Sequence, residues 1–180
     1  MKELNIIAAD FKQGDNFKIG SFNVIGNQVV VGNNVTIENS CVIASNVTIG
    51  DGTIIKNHVE LREGTVIGEN CLIDSKVSSS GNCKIGNNVT LRYDTIIARG
   101  IVIGDNTYVC PRVMTNNLDS GKNAIGGAQI GKNCFIGTNA VIQHGIKIAD
   151  NVTIGSMTFV NKSIEEAGST YVGIPAKKIK

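Results

Sequence analysis

The clearest capacity for chemistry in this 180-residue chain lies in its two histidines, His58 and His144. An imidazole changes its charge near neutral pH, so histidine is the side chain most often used as a general base. A zinc site of three histidines cannot be built from two, and we expect no metal. His144 is the candidate base because of its position, which is described below. The alternative is that His144 only fills a turn position. For His58 a structural role is the favoured interpretation.

The elements that must position these side chains are set by an apolar residue at every sixth position. The series runs from Ile19 to Val109, with Ser79 as its single polar member, and resumes in a shifted phase from Ile130 to Val160. A period of six matches neither an α-helix nor an alternating strand. It is typical of a solenoid whose coils have three short flat sides, and it predicts an all-β, parallel prism.

Two further registers agree with this prism. Small residues recur four positions after the large ones, and asparagine or glycine recurs three positions after them. A narrow interior has room for one large and one small side chain on each side, whereas a sharp corner needs residues that tolerate positive φ. Four of the five cysteines lie in the small register, so we expect buried, reduced thiols rather than disulfides or metal ligands.

The repeat divides the chain into three parts. Residues 1–18 are expected to be a lead-in that caps the first coil, residues 19–160 roughly eight coils, and residues 161–180 a short C-terminal tail. The net charge of +2 and the lack of a basic stripe argue against a nucleic-acid partner. Without an apolar run of membrane-spanning length or a secretory signal, the expected location is cytoplasmic.

The outward-facing residues differ between the three predicted sides. One side carries Tyr108 and Phe135, a second carries Met114 and Phe159, and the third is more polar and includes Lys147. Two apolar sides suit a closed three-fold assembly in which each prism meets two neighbours. We therefore predict a homotrimer.

The period is interrupted once, between Val109 and Ile130, where about nine extra residues must leave the prism as a loop within residues 117–128. A loop on a rigid scaffold is a common place for function, and a tolerated insertion is the alternative. Continuing the coils across the loop stacks particular residues in columns. One column is Arg99, Asn117 and His144, and another is Asp94, Arg112 and Asn139.

Two segments resemble a known family. The tail YVGIPAKKI, starting at Tyr171, resembles the closing signature Gly-Asn-Pro-Ala-Lys, with Ile174 in place of asparagine. The segment VCPRVMTNNL, starting at Val109, is similar to the Gly-Pro-x-Val-x-Phe-Thr-Asn-Asp segment of nucleotide-sugar N-acyltransferases, with Cys110 in place of glycine. With the repeat, these segments resemble the hexapeptide-repeat acyltransferases, which fold as left-handed parallel β-helices.

The resemblance implies an acetyl-CoA-dependent N-acetyltransferase that acts on the amino group of a nucleotide-linked sugar. Relatives that acetylate hydroxyls place a histidine shortly after the proline segment. This chain has Asn116 and Asn117 there, which favours an amine acceptor. Asn116 is expected to orient the amine and His144 to accept its proton. Asn117, Tyr93 and Arg112 are expected to contact the substrate, although Arg112 with Asp94 could instead form a surface ladder.

The same resemblance implies that acetyl-CoA binds in a groove between adjacent prisms. Backbone N–H groups at corners would bind its pantetheine arm, and lysines would bind its phosphates, because flexible ammonium groups act as point charges toward phosphate. The residues carried over are Gly137, Thr138, Gly155, Ser156, Lys162, Lys177 and Lys178.

Three other functions remain as alternatives. O-acetylation of a sugar or small alcohol is disfavoured by the lack of a histidine in the loop. A γ-type carbonic anhydrase shares the prism shape but requires three histidines for its zinc. A non-catalytic assembly protein is disfavoured by the tail signature and by the loop.

Overall fold

A computed structural model describes residues 4–180, which wind into a prism with three parallel β-sheets as its sides. Face A contains nine strands: β1 (Ile6–Ile7), β4 (Val24–Ile25), β7 (Val42–Ile43), β10 (Glu60–Leu61), β13 (Ser78–Ser79), β16 (Ile96–Ile97), β19 (Met114–Thr115), β22 (Val141–Ile142) and β25 (Phe159–Val160). Face B contains eight: β2 (Lys12–Gln13), β5 (Val30–Val31), β8 (Thr48–Ile49), β11 (Val66–Ile67), β14 (Lys84–Ile85), β17 (Val102–Ile103), β20 (Gln129–Ile130) and β23 (Lys147–Ile148). Face C contains ten: β3 (Lys18–Ile19), β6 (Thr36–Ile37), β9 (Ile54–Ile55), β12 (Leu72–Ile73), β15 (Thr90–Leu91), β18 (Tyr108–Val109), β21 (Phe135–Ile136), β24 (Thr153–Ile154), β26 (Thr170–Val172) and β27 (Lys177–Lys178).

The six-residue period is confirmed as the inward register of these strands. Nearly every strand before β26 is two residues long, the first pointing outward and the second inward, because successive side chains of a strand alternate between its faces. Ile37, Ile73 and Ile136 are fully buried in this way. Each strand up to β22 pairs with the strand three places on, so that Ile37 lies beside Ile55 and Ile73 beside Leu91.

The prism has about nine turns rather than the roughly eight predicted, because the winding begins earlier. Strands β1 and β2 lie in the segment expected to be a lead-in, and they pair in parallel with β4 and β5. Ile6 is 71% exposed on the outside of this coil, below Val24, whereas the inward Ile7 lies below Ile25, which is 2% exposed. The lead-in is therefore itself the terminal coil. The predicted left-handed winding remains an expectation from the resemblance.

The break at Ser79 has a direct physical explanation. Its hydroxyl lies 2.9 Å from the hydroxyl of Thr65, and it accepts the backbone N–H of Arg62 at 3.1 Å. A buried hydroxyl is costly only when it lacks a partner, so the two hydroxyls satisfy each other inside an apolar wall. Serine thus replaces isoleucine without leaving an unpaired polar atom.

The corners and the cysteines also follow the predicted registers. Asn34, Asn46 and Asn88 stand at corners with φ of 56°, 60° and 56°. All five cysteines are buried and free. Burial raises the pKa of the thiols of Cys41, Cys71, Cys83 and Cys134.

The interruption of the period appears as a loop between β19 and β20. Below it, paired residues are 18 apart, as in the bond from Cys71 to Thr53, and across it they are 27 apart, as in the bond from Cys134 to Thr107. Beyond β25 the chain closes the prism. Ile164 bridges to Ile148 and is 3% exposed, and β26 then adds to face C. Within residues 4–180, no helix has the length and apolar character that a membrane crossing requires.

Candidate active site on two edges of the prism

Apart from Lys177 and Lys178, which lie in β27 of face C, the predicted site residues lie on two of the three edges of the prism. We call the corners that follow face-A strands edge AB, and those that follow face-C strands edge CA. Edge AB carries Asn116, Asn117 and His144, which follow β19 and β22. Edge CA carries the corners predicted to bind acetyl-CoA. Face A separates the two edges, so a single prism does not bring both groups together.

On edge AB, the register places Asn117 under His144 as the column predicted. Thr115 pairs with Ile142, and the N–H of Asn116 donates to the carbonyl oxygen of Ile142 at 3.0 Å. The N–H of Gly145, next to His144, donates to the carbonyl oxygen of Gly126 at 3.0 Å. His144 therefore stands directly above the point where the loop returns to the prism.

His144 itself is half-buried at this corner, and Gly145 beside it has a φ of 64°. Its Nδ1 atom is buried and makes no hydrogen bond within residues 4–180. A buried polar atom without a partner is uncommon and costs stability, which makes this imidazole unusual among the corner residues. The imidazole is held by its surroundings rather than by a hydrogen bond at Nδ1.

The loop is folded tightly over this root. Leu118 and Ala124 form an antiparallel bridge, and the carbonyl oxygen of Asn117 accepts the N–H groups of Ile125 at 3.0 Å and Gly126 at 3.2 Å. These contacts bring the two ends of the loop together at one point of edge AB, so the prism continues above it almost undisturbed.

Asp119 in this loop is a functional candidate that the sequence analysis missed. Its Oδ2 accepts the side-chain N–H of Asn123 at 2.9 Å, and its Oδ1 accepts the backbone N–H of Asn123 at 2.9 Å. These bonds lower the pKa of Asp119, and the neighbouring His144 makes a smaller contribution in the same direction. An aspartate opening a five-residue turn with glycine at its centre was the available signal.

On edge CA, the register stacks Tyr93, Thr138 and Ser156 in one column and Asp94, Arg112 and Asn139 in another. Within one chain, face A lies between Asn117 and the pair Tyr93 and Arg112, so substrate contact by all three stays a prediction that requires a neighbouring subunit. Arg112 is exposed and its Nε lies 3.7 Å from Oδ2 of Asp94, as in the alternative surface ladder. The ring of Tyr93 lies beneath the ammonium of Lys76, 5.5 Å from its centroid.

The residues at the corners predicted to bind pantetheine differ in whether their backbone N–H groups are free to donate a hydrogen bond to a ligand. The N–H of Gly137 donates to Ile154 at 2.8 Å and that of Gly155 to Tyr171 at 2.8 Å, so both are used within the prism. Within residues 4–180, no protein acceptor takes the N–H of Thr138 or Ser156. Gly137 and Gly155 instead allow close packing, since a Cβ on Gly137 would lie 2.5 Å from the nitrogen of Ser156.

The three predicted phosphate-binding lysines are all exposed near the end of the chain. The ammonium of Lys178 lies 2.7 Å from both carboxylate oxygens of Glu166. Lys162 and Lys177 have no carboxylate partner in the described part of the chain, which leaves their charges available to an anion.

Comparison with known proteins agrees with the repeat and the fold. Residues 28–63 and 127–162 match the family described as bacterial transferase hexapeptide (six repeats). No curated protein sequence matches the chain. Among solved structures, the UDP-N-acetylglucosamine acyltransferase of Bacteroides fragilis is 21% identical with a TM-score of 0.73, over 99% of this chain and 72% of that one. The enzyme of the same name from Campylobacter jejuni is 18% identical with a TM-score of 0.71, over 98% and 72%. The chain therefore carries the bacterial transferase hexapeptide repeat, and the resemblance to hexapeptide-repeat acyltransferases that the sequence indicated is confirmed.

Proposed function

We propose that the protein transfers an acetyl group from acetyl-CoA to the amino group of a nucleotide-linked sugar. The observation that carries the proposal is the position of His144, half-buried on edge AB directly above the return of the loop, with Asn116 one coil below. The matched transferase family and the nucleotide-sugar acyltransferases of similar fold support acyl transfer as the class of reaction.

In this mechanism the amine nitrogen attacks the thioester carbonyl carbon, and the carbon–sulfur bond then breaks. Attack requires a neutral amine and an acceptor for the proton that it loses. His144 takes that proton and returns it to the departing CoA thiolate, so that the products are an amide and CoA. The side-chain carbonyl of Asn116 accepts an N–H of the amine and fixes its direction of attack.

The donor is placed on edge CA, where Thr138 and Ser156 offer N–H groups to pantetheine and Gly137 and Gly155 keep the surface close. For the CoA phosphates, Lys177 and Lys178 lie in β27 at the end of face C, and Lys162 follows β25 on edge AB, one coil above His144. Since face A separates the two edges within one prism, a donor on one subunit must meet edge AB of its neighbour. The site is then complete only in an assembly.

We accordingly expect a homotrimer in solution, formed by the apolar outer surfaces of faces A and C. Met114 on face A is 38% exposed, and Phe135 on face C is 44% exposed and stacked on Tyr108 with ring centroids 5.8 Å apart. Burying such surface drives association. Multi-angle light scattering at micromolar concentration should give three chains per particle, and a monomer would contradict both the trimer and the shared site.

The reaction itself is tested by thiol release from acetyl-CoA with a panel of nucleotide-linked sugars. Paired acceptors that differ only by an amino or a hydroxyl group at ring positions 3 and 4 should release CoA about tenfold or more faster with the amine, because its neutral form is the better nucleophile. Mass spectrometry should find the acetyl group on nitrogen. A protein that neither binds acetyl-CoA by calorimetry nor releases thiol would be an assembly protein instead.

O-acyl transfer to a nucleotide-linked sugar is the second candidate, and one observation favours it. His144 is near enough to Asp119 to contribute to the lowered pKa of that carboxyl group, and a carboxylate beside a histidine can orient the imidazole for attack by a hydroxyl. A similar structure from Moraxella catarrhalis, 18% identical with a TM-score of 0.56, is described as a UDP-N-acetylglucosamine O-acyltransferase. If thiol release is faster with the hydroxy acceptor than with the amino acceptor of each pair, the reaction is O-acyl transfer.

A further inference from the structure

A groove on edge AB, directly below the loop, has no role in the site described so far. Its volume is about 370 Å³. Corners that follow four consecutive face-A strands line it with Asn46, Glu63, Gly64, Asn82 and Arg99. Because these corners belong to the same edge as Asn117 and His144, the groove leads toward the proposed reaction centre.

Arg99 forms the end of this groove nearest the loop, and its charge is uncompensated. The chain has four arginines. Arg62, Arg92 and Arg112 each have a carboxylate partner, at 2.9, 3.0 and 3.7 Å. In the part of the chain that the structure describes, Arg99 has none. A planar guanidinium with several N–H donors matches the oxygens of a phosphate in a bidentate manner. The upper end of the groove is thus suited to a phosphate group.

The lower end of the groove has the opposite character. Glu63 lies two coils below Arg99, and its Oε1 accepts the side-chain N–H of Asn46 at 3.0 Å. A carboxylate repels phosphate but accepts hydrogen bonds from hydroxyl groups, as carboxylates do from the ribose of bound nucleotides. The exposed amides of Asn46 and Asn82 add both donors and acceptors.

We infer that the groove binds the nucleoside diphosphate portion of the acceptor, with the diphosphate on Arg99 and the ribose hydroxyls on Glu63. This inference rests on the proposed function and gives the acceptor a direction, with the sugar pointing up the prism toward His144. Adjacent coils are spaced by about 4.8 Å, so Arg99 and His144 are about 10 Å apart along the edge. The guanidinium of Arg99 reaches down to Gly81, one coil below, so the diphosphate bound there and the sugar that follows it together span the distance up to His144.

The inference is tested by calorimetric binding in the absence of any acyl donor. The probes are inorganic pyrophosphate and the nucleoside diphosphates UDP, GDP and dTDP. Arg99→Gln should weaken pyrophosphate and the best nucleoside diphosphate about tenfold or more, since it removes a charge-assisted contact. Glu63→Ala should weaken only the nucleoside diphosphate. The control is Arg62→Gln, which removes the same charge from the same edge but from a guanidinium already bonded to Glu60, and it should change binding by less than about twofold.

The inference is overturned if the wild-type protein binds no nucleoside diphosphate, if Arg99→Gln binds as well as the wild type, or if Arg62→Gln weakens binding equally. The same holds if Glu63→Ala leaves nucleoside diphosphate binding unchanged, because the proposed direction of the acceptor would then be lost. These results are independent of catalysis. Loss of binding in Arg99→Gln without any acyl transfer by the wild type would support the groove and contradict the proposed function.

Discussion

Excising residues 118–126 is expected to leave the prism folded while lowering acyl transfer by about a hundredfold or more. The cut joins Asn117 to Gly127, and the two ends already meet, since the N–H of Gly126 donates to Asn117 at 3.2 Å. The excision restores the 18-residue spacing found below the loop. It also removes Asp119 and Ile125, whose side chain lies against Gly145 next to His144, and the loss of positioning at a reacting centre has effects of this size. Thiol release and circular dichroism measure the two consequences.

The control is Ser120→Ala, which alters an exposed loop residue without shortening the chain and should keep turnover within about twofold. An excised protein that melts at a much lower temperature would mean that the loop supports the fold. An excised protein with full turnover would reduce the loop to a tolerated insertion and remove the main reason for placing the reaction on edge AB.

Replacing His144 with alanine is expected to lower turnover on the amino sugar by about tenfold or more, which is the lower range of general-base contributions. The structure places no other histidine near the loop, since His58 lies three coils lower on edge CA. Steady-state thiol release measures the change. Partial recovery with added imidazole would identify proton transfer rather than a change of shape, because free imidazole can enter the space that the side chain leaves.

The matched variant is His58→Asn, since His58 occupies a corner with a φ of 58° that asparagine tolerates. It should retain the turnover of the wild type. A near-normal rate for His144→Ala would assign proton removal to water, to the substrate or to the CoA sulfur, and it would leave His144 as a corner residue.

The sequence was sufficient to predict the prism because its packing depends on short-range spacing. Every coil has the same three features: a large inward residue every six positions, a small inward partner, and a corner residue that accepts positive φ. Each coil therefore predicts the same structure independently of the others. The first coil was missed for the same reason. Phe11 and Phe17, at the small positions of the first coil, pack on the core only partly buried, and Gln13 stands where the pattern requires a large apolar residue, although Ile7 keeps to it. A terminal coil has a neighbour on one side only, which relaxes its sequence.

The sequence predicted the level of the site residues along the prism axis, but not the edge of the prism on which each of them lies. Spacing correctly placed Asn117 beneath His144 and Arg112 above Asp94, because stacking depends only on the count of residues. Tyr93 was assigned to the substrate because it is one coil below the loop, although its corner belongs to edge CA. Asp119 was not predicted, because its position near His144 depends on how the loop folds back through Asn123, and the repeat carries no information about the loop.

The hairpin at the end of face C has a consequence for how the molecule behaves at high concentration. A solenoid of parallel strands ends in open hydrogen-bonding edges, and such edges invite a second molecule to continue the sheet. Here β27 runs antiparallel to β26 and is the last strand of face C. Its residues Lys177 and Lys178 are both exposed. A reversed last strand that carries the charge of Lys177 opposes end-to-end polymerisation from this sheet and favours discrete particles over fibres.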